Sequence, residues 1–425
     1  MMFNTVSMIG LGYIGLPTAA VFASKGINVI GVDVNERTVN TVNRGEIHIV
    51  EPDLEVMVRD TVASGTLRAT TVPEPADAFI IAVPTPFAQG YKPDLSYIES
   101  AAKMISAVLK PGDLVILEST SPVGATEQLT QWLADLRPDL ALPDTNGTRS
   151  DIHIAYCPER VLPGHVISEL VSNDRLIGGM SEACSQLAVQ LYKTFVEGEC
   201  VITNARTAEM AKLTENSFRD VNIAFANELS VICDQLDINV WQLIELANRH
   251  PRVNILQPGP GVGGHCIAVD PWFIVSKTPE LARLIETARN VNDDKPFWIL
   301  SKVEQAISDI VHHTAKTVGE IKIACFGVAF KANIDDLRES PALEISQMLA
   351  SKYPSQVHIV EPNIDALPEQ LVAHGAALDT LEQAIERCDV LVMLVDHQQF
   401  KTLQPTLRDD QSLIDSKGIW CGGKL

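Results

Sequence analysis

Positive charge is scarce in this chain: 33 lysines and arginines stand against 54 aspartates and glutamates, for a net charge of −21 and an isoelectric point near 4.8. A field of that sign repels nucleic acid and anionic membrane, so neither is an expected partner, and a phosphorylated ligand needs a locally basic pocket. Apolar runs of about 20 residues, long enough to span a bilayer, are lacking as well, which argues against membrane insertion. The eight cysteines include no Cys-x-x-Cys pair and no His/Cys grouping at zinc spacing, so no metal is expected. Within ten residues the N-terminus runs into an apolar strand and a glycine turn, leaving no room for a signal peptide. Together these absences predict a reduced, cytoplasmic protein. Asn146-Gly147-Thr148 fits a glycosylation acceptor but reads more simply as a turn.

A chain of 425 residues is too long for one core and suggests two or three domains of about 100–200 residues each. Thr5 to Ile9 reads as a buried strand, Leu16 to Ser24 as an alanine-rich helix and Asn28 to Val32 as a second strand, a βαβ unit. Further apolar strands at 78–83, 114–117 and 152–155 alternate with helical stretches. The pattern from Arg206 to Arg249, and again from about Pro279 to His312, is helical. Strands then return at 321–326, 357–360 and 390–395, with helices at 342–352 and 380–387. The expected fold is α/β: two Rossmann-like, doubly wound parallel-sheet domains, residues 1–200 and 314–425, joined by a central helical domain, 201–313.

Gly10-x-Gly12-x-x-Gly15 follows a strand and opens a helix, the context in which such glycines bind a dinucleotide: the helix N-terminus holds a pyrophosphate through unpaired amides and the helix dipole. Asp33 ends the second strand, where a carboxylate accepts hydrogen bonds from the adenine ribose and repels a 2′-phosphate, favouring NAD over NADP. The second sheet begins with Gly327-Val328-Ala329-Phe330-Lys331, which lacks the spaced glycines, so no second dinucleotide is expected there. Cys266 sits in the run Gly259-Pro260-Gly261-Val262-Gly263-Gly264-His265-Cys266. Glycines there let the backbone approach a ligand, whereas a structural cysteine normally lies in an apolar element. A redox cofactor and a thiol nucleophile together suggest oxidation of a primary alcohol through a thiohemiacetal and a thioester to an acid. Lys212, Asn216 and Arg219 share a helix face at i, i+4 and i+7. Asp270, four residues after Cys266, is placed to organise water or the lysine, or else to cap a helix. His250-Pro251-Arg252 adds cationic groups.

Gly10-Leu11-Gly12-Tyr13-Ile14-Gly15-Leu16-Pro17, Val83-Pro84-Thr85-Pro86, Ser119-Thr120-Ser121-Pro122-Val123-Gly124, Pro158-Glu159-Arg160, the 208–216 helix, Gly263-Gly264-His265-Cys266 and Phe330-Lys331 resemble, in order from residue 3 to about 416, the nucleotide-sugar 6-dehydrogenases of the UDP-glucose/GDP-mannose dehydrogenase family. The resemblance implies that Cys266 is the thioester-forming nucleophile and Lys212 the proton donor and acceptor, assisted by Asn216 and Asp270, with Thr120 and Glu159 near the reacting centre. It implies that Gly10, Gly12, Tyr13, Ile14, Gly15, Asp33, Thr85, Thr126 and Arg338 bind NAD. Arg160, Val161, Lys212, Asn216, Arg219, His250, Arg252, Gly263, Phe330 and Lys331 would bind the UDP-sugar. It also implies a homo-oligomer built on a dimer, in which Arg252 reaches the neighbouring subunit's site.

Where members acting on UDP-glucose often carry Pro-Glu-Phe, this chain has Pro-Glu-Arg, which favours an N-acetylated hexosamine. The long runs 160–164, 216–222 and 248–254 are most similar to members acting on UDP-N-acetyl-D-mannosamine, so the expected product is its uronic acid, made with two NAD per sugar for a surface polysaccharide such as enterobacterial common antigen. The alternatives are UDP-N-acetylglucosamine, UDP-N-acetylgalactosamine or UDP-glucose as substrate, a hydroxyacid dehydrogenase that performs one oxidation without a cysteine, and a non-catalytic nucleotide-sugar or NAD sensor.

Overall fold

Strands whose residues are apolar at every position must be covered on both faces, and in the computed structural model this is what organises both sheets. The structure describes residues 3–49, 51–87, 90–143, 150–162, 164–264 and 266–420. The Asn146-Gly147-Thr148 turn, Pro163, His265 and Cys421 lie outside them. By its contacts the chain divides into two compact units, residues 1–215 with 272–277 and residues 216–271 with 278–425.

The first unit holds an eight-stranded sheet of β1 (Thr5–Ile9), β2 (Asn28–Val32), β3 (Leu67–Thr70), β4 (Ala78–Ile81), β5 (Leu114–Leu117), β6 (His153–Tyr156), β7 (Arg175–Gly179) and β8 (Cys200–Asn204), in the order β3-β2-β1-β4-β5-β6-β7-β8. The first six follow the doubly wound nucleotide-binding order. One departure from the expected all-parallel sheet is a correction: β6 and β7 pair antiparallel, Ala155 opposite Gly179, and β8 pairs parallel to β7, so the last two strands run against the first six. A further correction is that β4 stops at Ile81 rather than Val83. The Val83 N–H donates to Ser119 Oγ at 2.9 Å and its carbonyl accepts from the same hydroxyl at 2.7 Å, so a side chain takes the place of a ladder partner. Helix Gly15–Ser24 is buried from Gly15 to Ala23, because its small residues let it lie close on the sheet.

The second unit contains a five-stranded, wholly parallel sheet of β9 (Ile323–Phe326), β10 (Val357–Val360), β11 (Ala377–Leu378), β12 (Val390–Met393) and β13 (Ser412–Asp415), in the order β11-β10-β9-β12-β13. Ile299, Val303, Ile307 and Ile310 of the helix Arg283–His313 join one core with Ile323, Val357, Val390 and their neighbours. Spaced four, four and three apart, they form an apolar stripe facing that sheet. The helical stretch expected from 206 to 249 is two helices, Ala205–Gln235 and Val240–Ala247. Asp237, at φ +53°, turns the chain between them, and the Asn239 side chain caps the second by accepting from Gln242 N–H at 3.0 Å.

Candidate active site

In the first unit the turn after β1 is closed by backbone contact. A Cβ on Gly15 would lie 1.9 Å from the Gly10 carbonyl oxygen, so only glycine lets the helix start this close to the strand, with its N-terminus at the turn. Asp33, half-buried at the end of β2, accepts from Leu11 N–H at 3.0 Å and from Asn35 N–H at 2.9 Å. A carboxylate so held still has lone pairs for ribose hydroxyls. Tyr13 is exposed beside the turn. This glycine cradle and acid fit a dinucleotide.

Thr85 Oγ1 donates to the Thr120 carbonyl at 2.7 Å, tying the segments after β4 and β5 together. Thr126 is fully buried and its hydroxyl donates to Glu209 at 2.6 Å. The Glu209 carboxylate also accepts from Gly124 N–H and Thr126 N–H, at 2.7 and 2.8 Å. The Thr126 side chain thus supports the loop from inside the unit. Arg160 pairs with Glu215 at 3.1 Å; Val161 is half-buried beside it, and so is Lys212 on the helix Ala205–Gln235.

Glu159 is buried, and its carboxylate takes a 2.6 Å bond from Arg175 Nη2. Arg175 Nη1 reaches Glu118 Oε1 at 3.0 Å, and Tyr192 OH donates to the same oxygen at 3.0 Å. The guanidinium lies 4.3 Å above the Tyr192 ring. Glu118 Oε2 is buried with no hydrogen-bond partner among the described residues. Burial, offset in part by Arg175 and reinforced by Glu159, pushes the Glu118 carboxyl up to about 7. Glu118, Arg175 and Tyr192 were missed in the sequence. The available signals were an acid beside Ser119-Thr120 and an arginine at the head of the apolar run Leu176-Ile177.

In the second unit Asn216 Nδ2 donates to Asp270 Oδ2 at 2.5 Å, joining residues 54 apart in the chain. Asp270 is 2% exposed, and its N–H bonds the Cys266 carbonyl at 2.8 Å, which closes a turn with exposed Cys266 at its head. Gly263 has no room for a side chain, since a Cβ would lie 2.4 Å from the Glu339 carbonyl oxygen and 2.9 Å from Phe330 Cβ. The cysteine loop is therefore packed directly on the segment carrying Phe330 and Lys331. Lys331, Arg219, His250 and Arg252 are exposed. Arg338 is drawn into a bidentate pair with Asp336, at 2.8 and 2.6 Å. The structure thus brings together Cys266, Asp270 and Asn216, and Gly263 with Phe330.

Models of three successive domains match the chain: the NAD binding domain of the UDP-glucose/GDP-mannose dehydrogenase family over residues 4–196, its central domain over 206–294 and its UDP binding domain over 324–421. The chain belongs to this family. It is accordingly an NAD-dependent oxidoreductase, with the first sheet in the NAD-binding part and the second in the UDP-binding part. A UDP-N-acetyl-D-mannosamine dehydrogenase of Yersinia pestis is 63% identical over 420 residues, covering 99% of this chain and 100% of that protein. An NDP-N-acetyl-D-galactosaminuronic acid dehydrogenase of Ralstonia nicotianae is 61% identical, covering 100% and 98%. A solved UDP-D-ManNAc dehydrogenase from Pyrococcus horikoshii superposes with a TM-score of 0.87 at 38% identity, covering 99% of this chain and 97% of that one. Among the described residues no helix is long and apolar enough to cross a membrane.

Proposed function

We propose that the protein oxidises C6 of UDP-N-acetyl-D-mannosamine to the uronic acid, consuming two NAD per sugar. The observation that carries this reading is the exposed Cys266 at the head of the turn closed by Asp270, with Asn216 hydrogen-bonded to that aspartate. Bound NAD supplies the hydride acceptor for each of the two oxidations. The Cys266 thiolate adds to the C6 aldehyde to give a thiohemiacetal, whose oxidation leaves a thioester that water cleaves, releasing the acid and the thiolate. Lys212 exchanges protons with the C6 oxygen, Asn216 and Asp270 order that oxygen and the water, and Thr120 and Glu159 border the reacting centre. Gly10, Gly12, Tyr13, Ile14, Gly15, Asp33, Thr85 and Arg338 hold NAD, and Thr126 supports that site through Glu209. Arg160, Val161, Arg219, His250, Arg252, Gly263, Phe330 and Lys331 hold the UDP-sugar.

The domain boundaries we favour are 1–200, 201–313 and 314–425, supported by the three family models. A homo-oligomer built on a dimer is supported by Phe218, Phe225 and Ile232, which recur every seven residues on the helix Ala205–Gln235 and are 68%, 51% and 45% exposed. Such an apolar stripe calls for a partner. An exposed catalytic thiol suits the reducing cytoplasm, and the product suits a surface polysaccharide of the enterobacterial common antigen type. A second reading, UDP-N-acetylgalactosamine as the sugar, is favoured by the 61% identity to the Ralstonia relative.

The test is to count NADH formed per sugar consumed across a panel of UDP-sugars. Two per UDP-N-acetylmannosamine is expected, with Cys266→Ser lowering acid formation by about a thousandfold or more. Two per another sugar would move the specificity and keep the mechanism; one per sugar, or a fully active Cys266→Ser, would overturn the mechanism.

A further inference from the structure

The turn after β9 does not run straight into a helix; residues 327–340 form a loop that carries Phe330 and Lys331 before the helix Pro341–Lys352. Behind it, at the end of β10, lies Glu361. Its Oε2 accepts from Val328 N–H at 2.8 Å, Ala329 N–H at 3.1 Å and His397 Nε2 at 3.0 Å. Its Oε1 accepts from Asn363 N–H at 3.1 Å and Nδ2 at 3.0 Å. His397 is fully buried, and its Nδ1 accepts from the Asn333 backbone N–H at 2.9 Å and faces Asn363 Nδ2 at 3.1 Å. A backbone N–H can only donate, so Nδ1 is an acceptor, and the ring proton sits on Nε2, aimed at Glu361. The far end of the segment is clipped in turn: Asn333, left-handed at φ +62°, accepts from Gln398 N–H through Oδ1 at 2.8 Å.

We propose that His397 and Glu361 are positioning residues for the substrate: they hold the 327–333 segment at both ends so that Phe330 and Lys331 are presented to the UDP-sugar. The inference rests on the reading that Phe330 and Lys331 bind that sugar. Glu361 fixes the Val328 and Ala329 amides near the start of the segment and His397 fixes the last, at Asn333, while Phe330 and Lys331 between them are half-buried and exposed. A buried network in which every member has its partner has one arrangement rather than several. Loosening it leaves the side chains present but no longer preorganised, which weakens binding without removing a reacting group.

The two ring nitrogens can be separated by mutation, since the amide of asparagine falls near Nδ1 and that of glutamine near Nε2. His397→Gln keeps a donor for Glu361 and loses the acceptor for Asn333; His397→Asn keeps the acceptor. We expect His397→Gln to raise KM for the UDP-sugar about tenfold, with KM for NAD unchanged and kcat within about twofold, and His397→Asn to recover most of that loss. Lys331→Ala serves as the benchmark. If it leaves KM for the sugar unchanged, the assignment of this loop to the UDP-sugar fails. If it raises that KM while His397→Gln does not, or if the two His397 variants are impaired equally, the positioning role is overturned. Should the His397 variants fail to fold, Asn333→Gly decides: it keeps the left-handed backbone but drops the clip to Gln398, and KM for the sugar should rise about threefold. No rise would overturn the proposal.

Discussion

Asp33 and Glu361 stand at the same place, the end of the second strand, in two sheets whose first five strands share one order. Asp33 is half-buried with two backbone donors, Leu11 and Asn35, whereas Glu361 is 4% exposed with three, Val328, Ala329 and Asn363, and a buried histidine closing it off. The connections before them differ to match. After β1 a helix starts at Gly15, directly behind the glycine turn, while after β9 no helix starts until Pro341. In the function proposed above, one strand order therefore carries a dinucleotide seat where the loop is short and glycine-lined. Where the loop is long, the acid at the equivalent place, Glu361, accepts from the loop's own Val328 and Ala329 amides. The ligand is set by the connection, not by the sheet.

The most damaging way to break this comparison is at Gly15. A single methyl there meets the Gly10 carbonyl at 1.9 Å, so Gly15→Ala should weaken NAD binding by about a hundredfold or more, or cost about 3 kcal/mol of stability. Ala329→Gly, in the matching turn of the second sheet, should leave KM for NAD unchanged. Calorimetric NAD titration of both variants is the check, and near-equal effects would mean that the two turns are not specialised.

A smaller contrast comes from neutralising each acid. Glu361→Gln leaves buried donors facing an amide that can satisfy only some of them, and should cost about 2–3 kcal/mol in a urea titration. Asp33→Asn should cost less than about 1 kcal/mol in stability yet raise KM for NAD about tenfold, since its duty is toward the ligand. The reverse pattern would put the ribose contact in the wrong sheet.

Much of this was legible because its signals are local. The apolar strands, the glycine turn and the i, i+4, i+7 face of Lys212, Asn216 and Arg219 each lie within a few residues, and each formed. What escaped is carried by pairs distant in sequence. Arg175 at the start of β7 is buried between Glu118 and Glu159, 57 and 16 residues away. His397 and Glu361 lie 36 residues apart, each in a polar loop with no period to betray it. The alanine-rich helix was visible from composition, but the partner of a buried charge is set by topology.

Glu118 sharpens the comparison through pH. It too ends a strand and is buried, but its Oε2 has no partner among the described residues, and burial raises it to about 7. In Glu361 burial acts the same way but is outweighed by donation from His397 and the Val328 N–H, which holds its carboxyl below the usual range. Between pH 4.5 and about 7 the native protein keeps a proton on Glu118 that the unfolded chain has released, so stability falls as pH rises across that window. Glu118→Gln removes this titration. Its stability relative to the parent should therefore grow from pH 5 to pH 8, by at most about 3 kcal/mol. Glu361→Gln should behave oppositely. The native pairing of Glu361 is stabilising above its unfolded value and lost as pH falls through its lowered one, so the deficit of that variant should shrink below about pH 4.5. Urea midpoints at pH 4, 5, 6.5 and 8 for the parent and both variants measure the two slopes. A flat difference for Glu118→Gln would mean that Arg175 alone keeps both Glu118 and Glu159 ionised, and that the number of donors around a buried acid matters less here than the single charge beside it.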